Sequence, residues 1–322
     1  MSAREFLWIV KESSLNTPMA SPVAGTDSLY IRLTDGNAFG MVAKPIIEKI
    51  PYGGGVATQA DAVSDHYECQ GGLKTKLYPA QAALLLAWAC TPINAGQTLP
   101  WTTTEAPTDL ASCSVYHAVM RADGTYRRKQ YSGVKVASGA IEVSRQSTTA
   151  ALSLGLVACK CVGNAMEGTT DPTSTVFPAP QETDYPVGPY TFHHTSGNLT
   201  IGSARTQYRS LALNFQNKLS GNFFEGQSLG ALRFCGREST LAADLYLKAT
   251  PDDRSAYEAL TAQTVSLTFN NGTHTAVINY GAKNLITDLP YDLPLDQAYF
   301  LRMTLANLWD AGAGQDIALS FT

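Results

Sequence analysis

The residues best equipped for chemistry gather at Asp61, Asp65, His66, Glu68 and Cys69, the densest cluster of potential metal ligands in the chain. A metal site needs ligands that converge from defined spacings. In an extended segment successive side chains leave on opposite faces, so Asp65 and Glu68 diverge and the cluster reads as a solvated approach to a strand. Cys159-Lys160-Cys161 puts two thiols on one strand face but brings no further zinc ligands. His193-His194 stands before a strand with no acidic partner nearby in sequence and no serine that reads as a nucleophile. Gly53-Gly54-Gly55 leads into Val56-Ala57-Thr58 with no lysine to reach a phosphate, so it reads as a flexible loop rather than a phosphate cradle. No nucleophile elbow and no dinucleotide fingerprint occurs. The expectation is a protein without catalysis, without a metal and without a cofactor.

Composition narrows the class further. The chain has 322 residues, of which 44% are hydrophobic and only 16% charged, so sizeable cores form and much of the surface is suited to meet protein. Net charge is −4, from 23 basic and 27 acidic residues, which excludes an electrostatic nucleic-acid binder. No apolar run approaches the roughly 18 residues of a membrane span, and Phe6 to Val10 is too short for a signal-peptide core, so a soluble protein made in the cytosol is expected. Six cysteines (Cys69, Cys90, Cys113, Cys159, Cys161 and Cys235) in so long a chain make no disulfide framework, and most sit in apolar runs as reduced, buried thiols.

The elements that would position such residues are mainly strands. Val134–Val143, Ala150–Val157, Ser210–Phe215, Val265–Phe269, Phe300–Leu305 and Ile317–Phe321 alternate with period two. Ala122-Asp123-Gly124 and Asn270-Asn271-Gly272 supply hairpin turns. Only Pro79–Trp88 and Thr250–Leu260 look helical, the second with a Thr250 N-cap and Pro251 at the first position.

An order of signals occurs twice. Cys69-Gln70-Gly71, then Leu73 to Tyr78 with Pro79, then Tyr131-Ser-Gly133-Val-Lys135, matches Cys235-Gly236, Leu245 to Thr250 with Pro251, and Tyr280-Gly281-Ala-Lys283. Such recurrence predicts duplication. The expected division is an N-terminal arm (1–21), a first domain (22–165), a Pro/Thr-rich linker (166–189) and a second domain (190–322). The linker's Glu167, Asp171, Glu182 and Asp184 equal the whole net charge. Three function classes fit: an assembly subunit, a β-rich carbohydrate- or ligand-binding module using aromatics such as Tyr185, Tyr190, Phe223 and Phe224, and a hydrolase with dispersed residues. Assembly accounts together for the low charge, the tandem copies and the lack of site motifs.

The Glu/Thr/Pro turn at Glu12–Pro18, the Gly-rich excursion Pro51–His66, the strand Tyr131-Ser-Gly133-Val-Lys135-Val-Ala-Ser and the close from Gly197-Asn-Leu-Thr-Ile through Asn307-Leu-Trp-Asp-Ala-Gly to Leu319 carry a resemblance. The chain resembles the tail tube proteins (major tail proteins) of long-tailed, non-contractile bacteriophages. The resemblance implies two tandem tail-tube-like β-sandwich or barrel domains, each with one short helix, whose inner strands contribute to a ring-shaped β-barrel. Rings would stack into a hollow tube that conducts genomic DNA into the host. It also implies partners: further copies of the chain, a tail terminator, tape-measure and baseplate or tip proteins, and double-stranded DNA in non-specific passage. The place would be the virion tail, assembled in the host cytoplasm. Family members mostly form hexameric rings from one domain per chain; two domains favour three chains in a pseudo-sixfold ring over six. The polar excursions Pro51–His66 and Leu219–Gly230 are expected at equivalent positions as inter-ring contacts, through Gly53, Gly54, Gly55, Thr58, Gln59 and Asp61 in the first and Asn222, Phe223, Phe224 and Glu225 in the second.

Overall fold

The computed structural model describes residues 5–18, 22, 27–31, 39–51, 57–90, 101–103, 109–120, 126–144, 147–162, 187–191, 198–223, 229–246, 252–289, 300–308 and 317–322. In chain order the first half gives β1 (Glu5–Ser14), β2 (Thr17–Pro18), β3 (Ser28–Ile31), β4 (Phe39–Pro51), β5 (Ala57–Lys76), α1 (Pro79–Cys90), β6 (Trp101–Thr103), β7 (Cys113–Met120), β8 (Tyr126–Ser144), β9 (Ser147–Ala158) and β10 (Lys160–Val162). The second gives β11 (Leu199–Ile201), β12 (Ser203–Arg205), β13 (Tyr208–Phe223), β14 (Leu229–Tyr246), α2 (Asp253–Glu258), β15 (Val265–Asn270), β16 (Thr275–Asn279), β17 (Asn284–Asp288), β18 (Phe300–Asn307) and β19 (Ala318–Phe321). The chain is mainly β, as its alternation predicts.

Eight antiparallel strands form one continuous ladder in the order β4-β5-β9-β8-β13-β14-β18-β17. Four come from each half, and the β8–β13 pairing (Ser144 opposite Ser210 through Ser138 opposite Gln216) joins the halves. Along these strands Leu152, Leu154 and Leu156, Ile141 and Val143, Leu211, Leu213 and Phe215, and Leu301, Met303 and Leu305 alternate into a shared core. Across that core lie β3-β1-β7 with the first part of β8 and β10, and a six-stranded sheet β12-β11-β15-β16-β19-β6. Among the described residues no sheet closes on itself. Among the same residues β4 and β17 each pair with a strand on one side only, so the described strands complete no barrel.

Where a strand must leave one sheet for another, the backbone needs a corner. β8 pairs β7 as far as Val134 and β9 from Lys135 onward, and Gly133, at the register shift just before that change of partner, has φ +62°. A Cβ there would lie 2.3 Å from Asn16 Oδ1, so only glycine fits. In the second half Gly281, at φ +67°, separates β16 from β17 in the same way. The Tyr-Gly signals of the sequence mark these two corners.

Three expectations need amendment. Residues 5–14, expected within an arm, form a buried strand between β3 and β7, because Phe6 to Val10 are apolar on both faces and are covered on both. The second helix begins at Asp253 with Asp252 as N-cap, whose carboxylate accepts the Ser255 N–H at 3.1 Å; Thr250 and Pro251 lie outside the described residues. The segment Pro51–His66 is not a free loop beyond its tip. Ala57–His66 is ladder, paired with β4, since backbone bonding to a neighbour needs no apolar face.

Candidate functional site

Because the apolar side chains of β9, β8, β13, β14 and β18 turn inward, the alternate positions make a broad open face. It carries Ser153 and Gly155 from β9, Ser138, Ala140 and Glu142 from β8, Ala212, Asn214 and Gln216 from β13, Thr240 and Ala242 from β14, and Thr304 and Ala306 from β18. Two shallow depressions run along it, one over Ser138, Ser153, Asn214 and Thr240, the other over Glu142, Ser210, Asp244 and Arg302. Neither is enclosed in the manner of a small-molecule site. Small and polar residues dominate the surface, with Glu142 of β8 and Lys74 of β5 as charges near its middle.

Its charges are interleaved. Lys218 pairs with Glu238, and Arg209 with Asp244 at 3.4 Å. Asp244 also accepts the Ser210 hydroxyl at 2.5 Å and faces Arg302 across the ladder. Exposed pairs like these add little stability. Lys74 and Lys76 of β5, opposite Ser153 and Ala151, bring further basic charge to the same face.

What holds this face together at the seam between the halves is polar and buried. The α1 helix lies under β8 with Gln81 to Cys90 all buried, and its Trp88 indole donates to Val134 O at 3.2 Å. The helix ends inside the protein, where its last carbonyls need donors. Asn217 of β13 supplies one, its amide donating to Ala89 O and to Val136 O, both at 2.9 Å. Arg237 of β14 supplies another, donating to Cys90 O at 3.0 Å while its Nε donates to Asn217 Oδ1 at 2.8 Å. Lys135 of β8, 3% exposed, donates to Leu232 O and to Asp109 Oδ1, both at 2.7 Å. Burial is the largest influence on Asp109 and pushes its carboxyl up, but Lys135 and the N–H groups of Leu110 and Phe234 together outweigh it and hold it below its ordinary range. Tyr190 adds a backbone stitch, donating to Leu77 O at 2.7 Å and accepting from Ala150 N–H at 3.2 Å.

A second buried hub serves the β8 corner. The Glu12 carboxylate accepts from Ser112 and Ser114 hydroxyls at 2.5 and 2.8 Å, and from the N–H groups of Gly133 and Asn16 at 2.7 and 3.0 Å. Its oxygens are spent on structure. Cys69, Cys90, Cys113 and Cys159 are buried free thiols, whereas Cys235 is exposed. Burial raises the Cys113 thiol and pushes Cys159 up to about 11, which keeps both protonated and unreactive near neutrality. Among the described residues no three His, Cys, Asp or Glu side chains gather as metal ligands.

Of the residues singled out in the sequence, Thr58, Gln59 and Asp61 lie on β5 opposite Ile50, Lys49 and Glu48, near the tip of the β4–β5 hairpin. Asn222 and Phe223 lie at the end of β13, opposite Ala231 and Leu229 in the β13–β14 hairpin. Gly53, Gly54, Gly55, Phe224 and Glu225, with His193 and His194, fall outside the described residues. The two segments thus belong to the two long hairpins of the eight-stranded sheet. The open face and the seam were not singled out in the sequence. The face was visible only as the polar half of each alternation, and the seam joins residues as far apart in sequence as Ala89 and Asn217.

No curated protein matches this chain. Residues 2–322 match the family described as phage tail tube protein. A match over nearly the whole length, on a mainly β chain whose largest feature is an open antiparallel wall, settles the assignment: the chain belongs to the phage tail tube protein family, structural components of the virion tail.

Proposed function

We propose that this protein is the repeating subunit of a hollow tail tube, that its eight-stranded sheet is a segment of the tube wall, and that the open face of that sheet lines the lumen. The observation that carries the reading is the strand order. In each half a long hairpin (β4–β5, β13–β14) comes first, a later strand (β9, β18) pairs with its second arm, and the strand just before that one in sequence (β8, β17) pairs on its far side. This recurrence supports two tandem tail-tube-like domains, 22–165 and 190–322, joined by the linker 166–189. The β8–β13 ladder is then a sheet-to-sheet junction already made inside one chain, with β4 and β17 the two edges left over.

Three chains close a pseudo-sixfold ring with eight strands each, in preference to six chains. Closure removes the sheet edges that would otherwise invite uncontrolled pairing. The lumen's many small polar residues and its mixture of acidic and basic side chains let double-stranded DNA slide without capture. The tips of the two long hairpins, with Gly53, Gly54, Gly55, Thr58, Gln59 and Asp61 in one and Asn222, Phe223, Phe224 and Glu225 in the other, contact the neighbouring ring. A terminator, a tape-measure protein and tip proteins meet the tube inside or at its ends, assembly takes place in the host cytoplasm, and the role requires no catalysis. Negative-stain microscopy of concentrated protein, with native mass spectrometry of released rings, tests this. Rings near three times 34.5 kDa are expected; six times that mass refutes the three-chain ring, and protein that never forms rings or tubes refutes the tube reading.

A further inference from the structure

The two helices hold matching places in the strand order but are in opposite states. α1 lies against β8 and is buried, its C-terminal carbonyls held by Asn217 and Arg237 of the other half. α2 lies against β17, and none of its residues is buried. What covers α1 is the domain that continues the sheet past β8. Past β17, within the chain, nothing continues the ladder among the described residues.

The end of α2 carries a second, independent sign. Leu260 N–H donates to Tyr257 O at 3.1 Å and Thr261 N–H to Ala256 O at 2.8 Å, the double bond of a helix closed by a left-handed residue. That position is ordinarily glycine, because side chains adopt it at a cost. Here it is Leu260, at φ +50° and 67% exposed. A strained leucine pointed at water contributes nothing to the lone chain. Strain of this kind persists where it serves a contact. Tyr257 and Leu308 are exposed beside it in the fold: Gln263 and Asn284 exchange backbone bonds, and Leu308 N–H donates to Lys283 O at 2.9 Å, which ties the α2 turn, the start of β17 and the end of β18 together.

We propose that Tyr257, Leu260 and Leu308, with the edge of β17 beyond Asn284, where Gln263 already bridges it, form the lateral docking surface for a second copy of this chain, whose first half continues the sheet there as β13 continues it past β8 inside the chain. The proposal rests on the ring reading above and names the surface that closes it. Burial of Leu260 by the incoming copy repays the strained backbone, so the same residue weakens the monomer and favours the ring.

The test uses the full-length chain with Leu260→Gly. Glycine relieves the backbone strain and deletes the contact, so the melting temperature of the monomer should stay level or rise while the concentration needed for rings and tubes rises at least tenfold. Leu308→Lys, which changes no strained position, should raise that concentration at least as much with an unchanged circular dichroism spectrum. Assembly of both variants at the wild-type concentration overturns the docking surface while leaving the tube reading intact. A lowered melting temperature for Leu260→Gly overturns it too, since Leu260 would then serve the monomer. Wild-type protein that stays monomeric throughout refutes the tube reading and this surface with it.

Discussion

Replacing Asn217 by leucine tests the seam. The side chain is 3% exposed and makes three hydrogen bonds: two amide donations, to Ala89 O and Val136 O, and one acceptance from the Arg237 guanidinium. Leucine keeps the volume and removes all three. A neutral hydrogen bond contributes about 1 kcal/mol net and one to a charged group about 1.5–3 kcal/mol, while donors and acceptors left buried without partners raise the cost. The expected loss is about 3–5 kcal/mol, a large share of the roughly 5–15 kcal/mol by which folded chains are stable. The chain is unfolded in guanidinium chloride below the concentration at which it assembles, with fluorescence as the probe. Trp88 reports locally, since its indole is bound to Val134 O on the same helix that Asn217 caps. An intact wild-type slope with a lowered midpoint is expected. A loss under about 1 kcal/mol would show that other groups satisfy the helix end, and the account of the seam given above would fall.

Gly139 faces the core with the Phe215 ring over it, and a Cβ there would lie 2.1 Å from Phe215 Cζ, so Gly139→Ala should cost about 1–3 kcal/mol through forced repacking; thermal melts that leave it level with wild type would refute the close contact. Asp109 titrates below its ordinary value of 3.8, so the folded state binds its proton more weakly than the unfolded chain does. Its contribution is therefore present above about pH 4 and fades as pH falls through the folded value. Asp109→Asn should accordingly be less stable than wild type at pH 6, with the gap narrowing in acid; a gap that widens below pH 4 contradicts the Lys135–Asp109 pairing.

Much of the fold is legible because its strands are half-buried. Ser210–Phe215 and Val265–Phe269 alternate in sequence and in burial alike, and Asn271-Gly272 sits in the β15–β16 turn with Gly272 at φ +90°. The Pro79 helix and the Tyr-Gly corners are equally plain. What sequence conceals has two causes. The β4–β5 hairpin pairs through a stretch whose sequence does not alternate, and Trp101–Thr103 becomes β6 where β19 of the other half offers an edge to it. The other concealed features are long-range polar contacts, since nothing near Asn217 or Lys135 in sequence announces a helix end or an Asp109 awaiting them.

Those contacts answer a question that alternation leaves open. A one-residue slip of β13 along β8 would turn every leucine to the open face, and the hydrophobic pattern forbids it. A two-residue slip keeps Leu211, Leu213 and Phe215 in the core and costs no apolar burial by that count. Yet the halves must meet in one register if β4 and β17 are to present edges of fixed height. Two features select it. The Phe215 ring needs the space over Gly139, its partner in the ladder, and would meet the branched side chain of Ile141 after a slip of two toward it. Asn217 reaches Ala89 O and Val136 O from its present rung alone, and a slip of two residues, about 7 Å, withdraws both donors from carbonyls that are buried. Buried polar groups are often a poor source of stability against apolar replacements, and their attested use is to fix register. At this seam the core supplies the adhesion, while a glycine, an asparagine and an arginine supply the alignment.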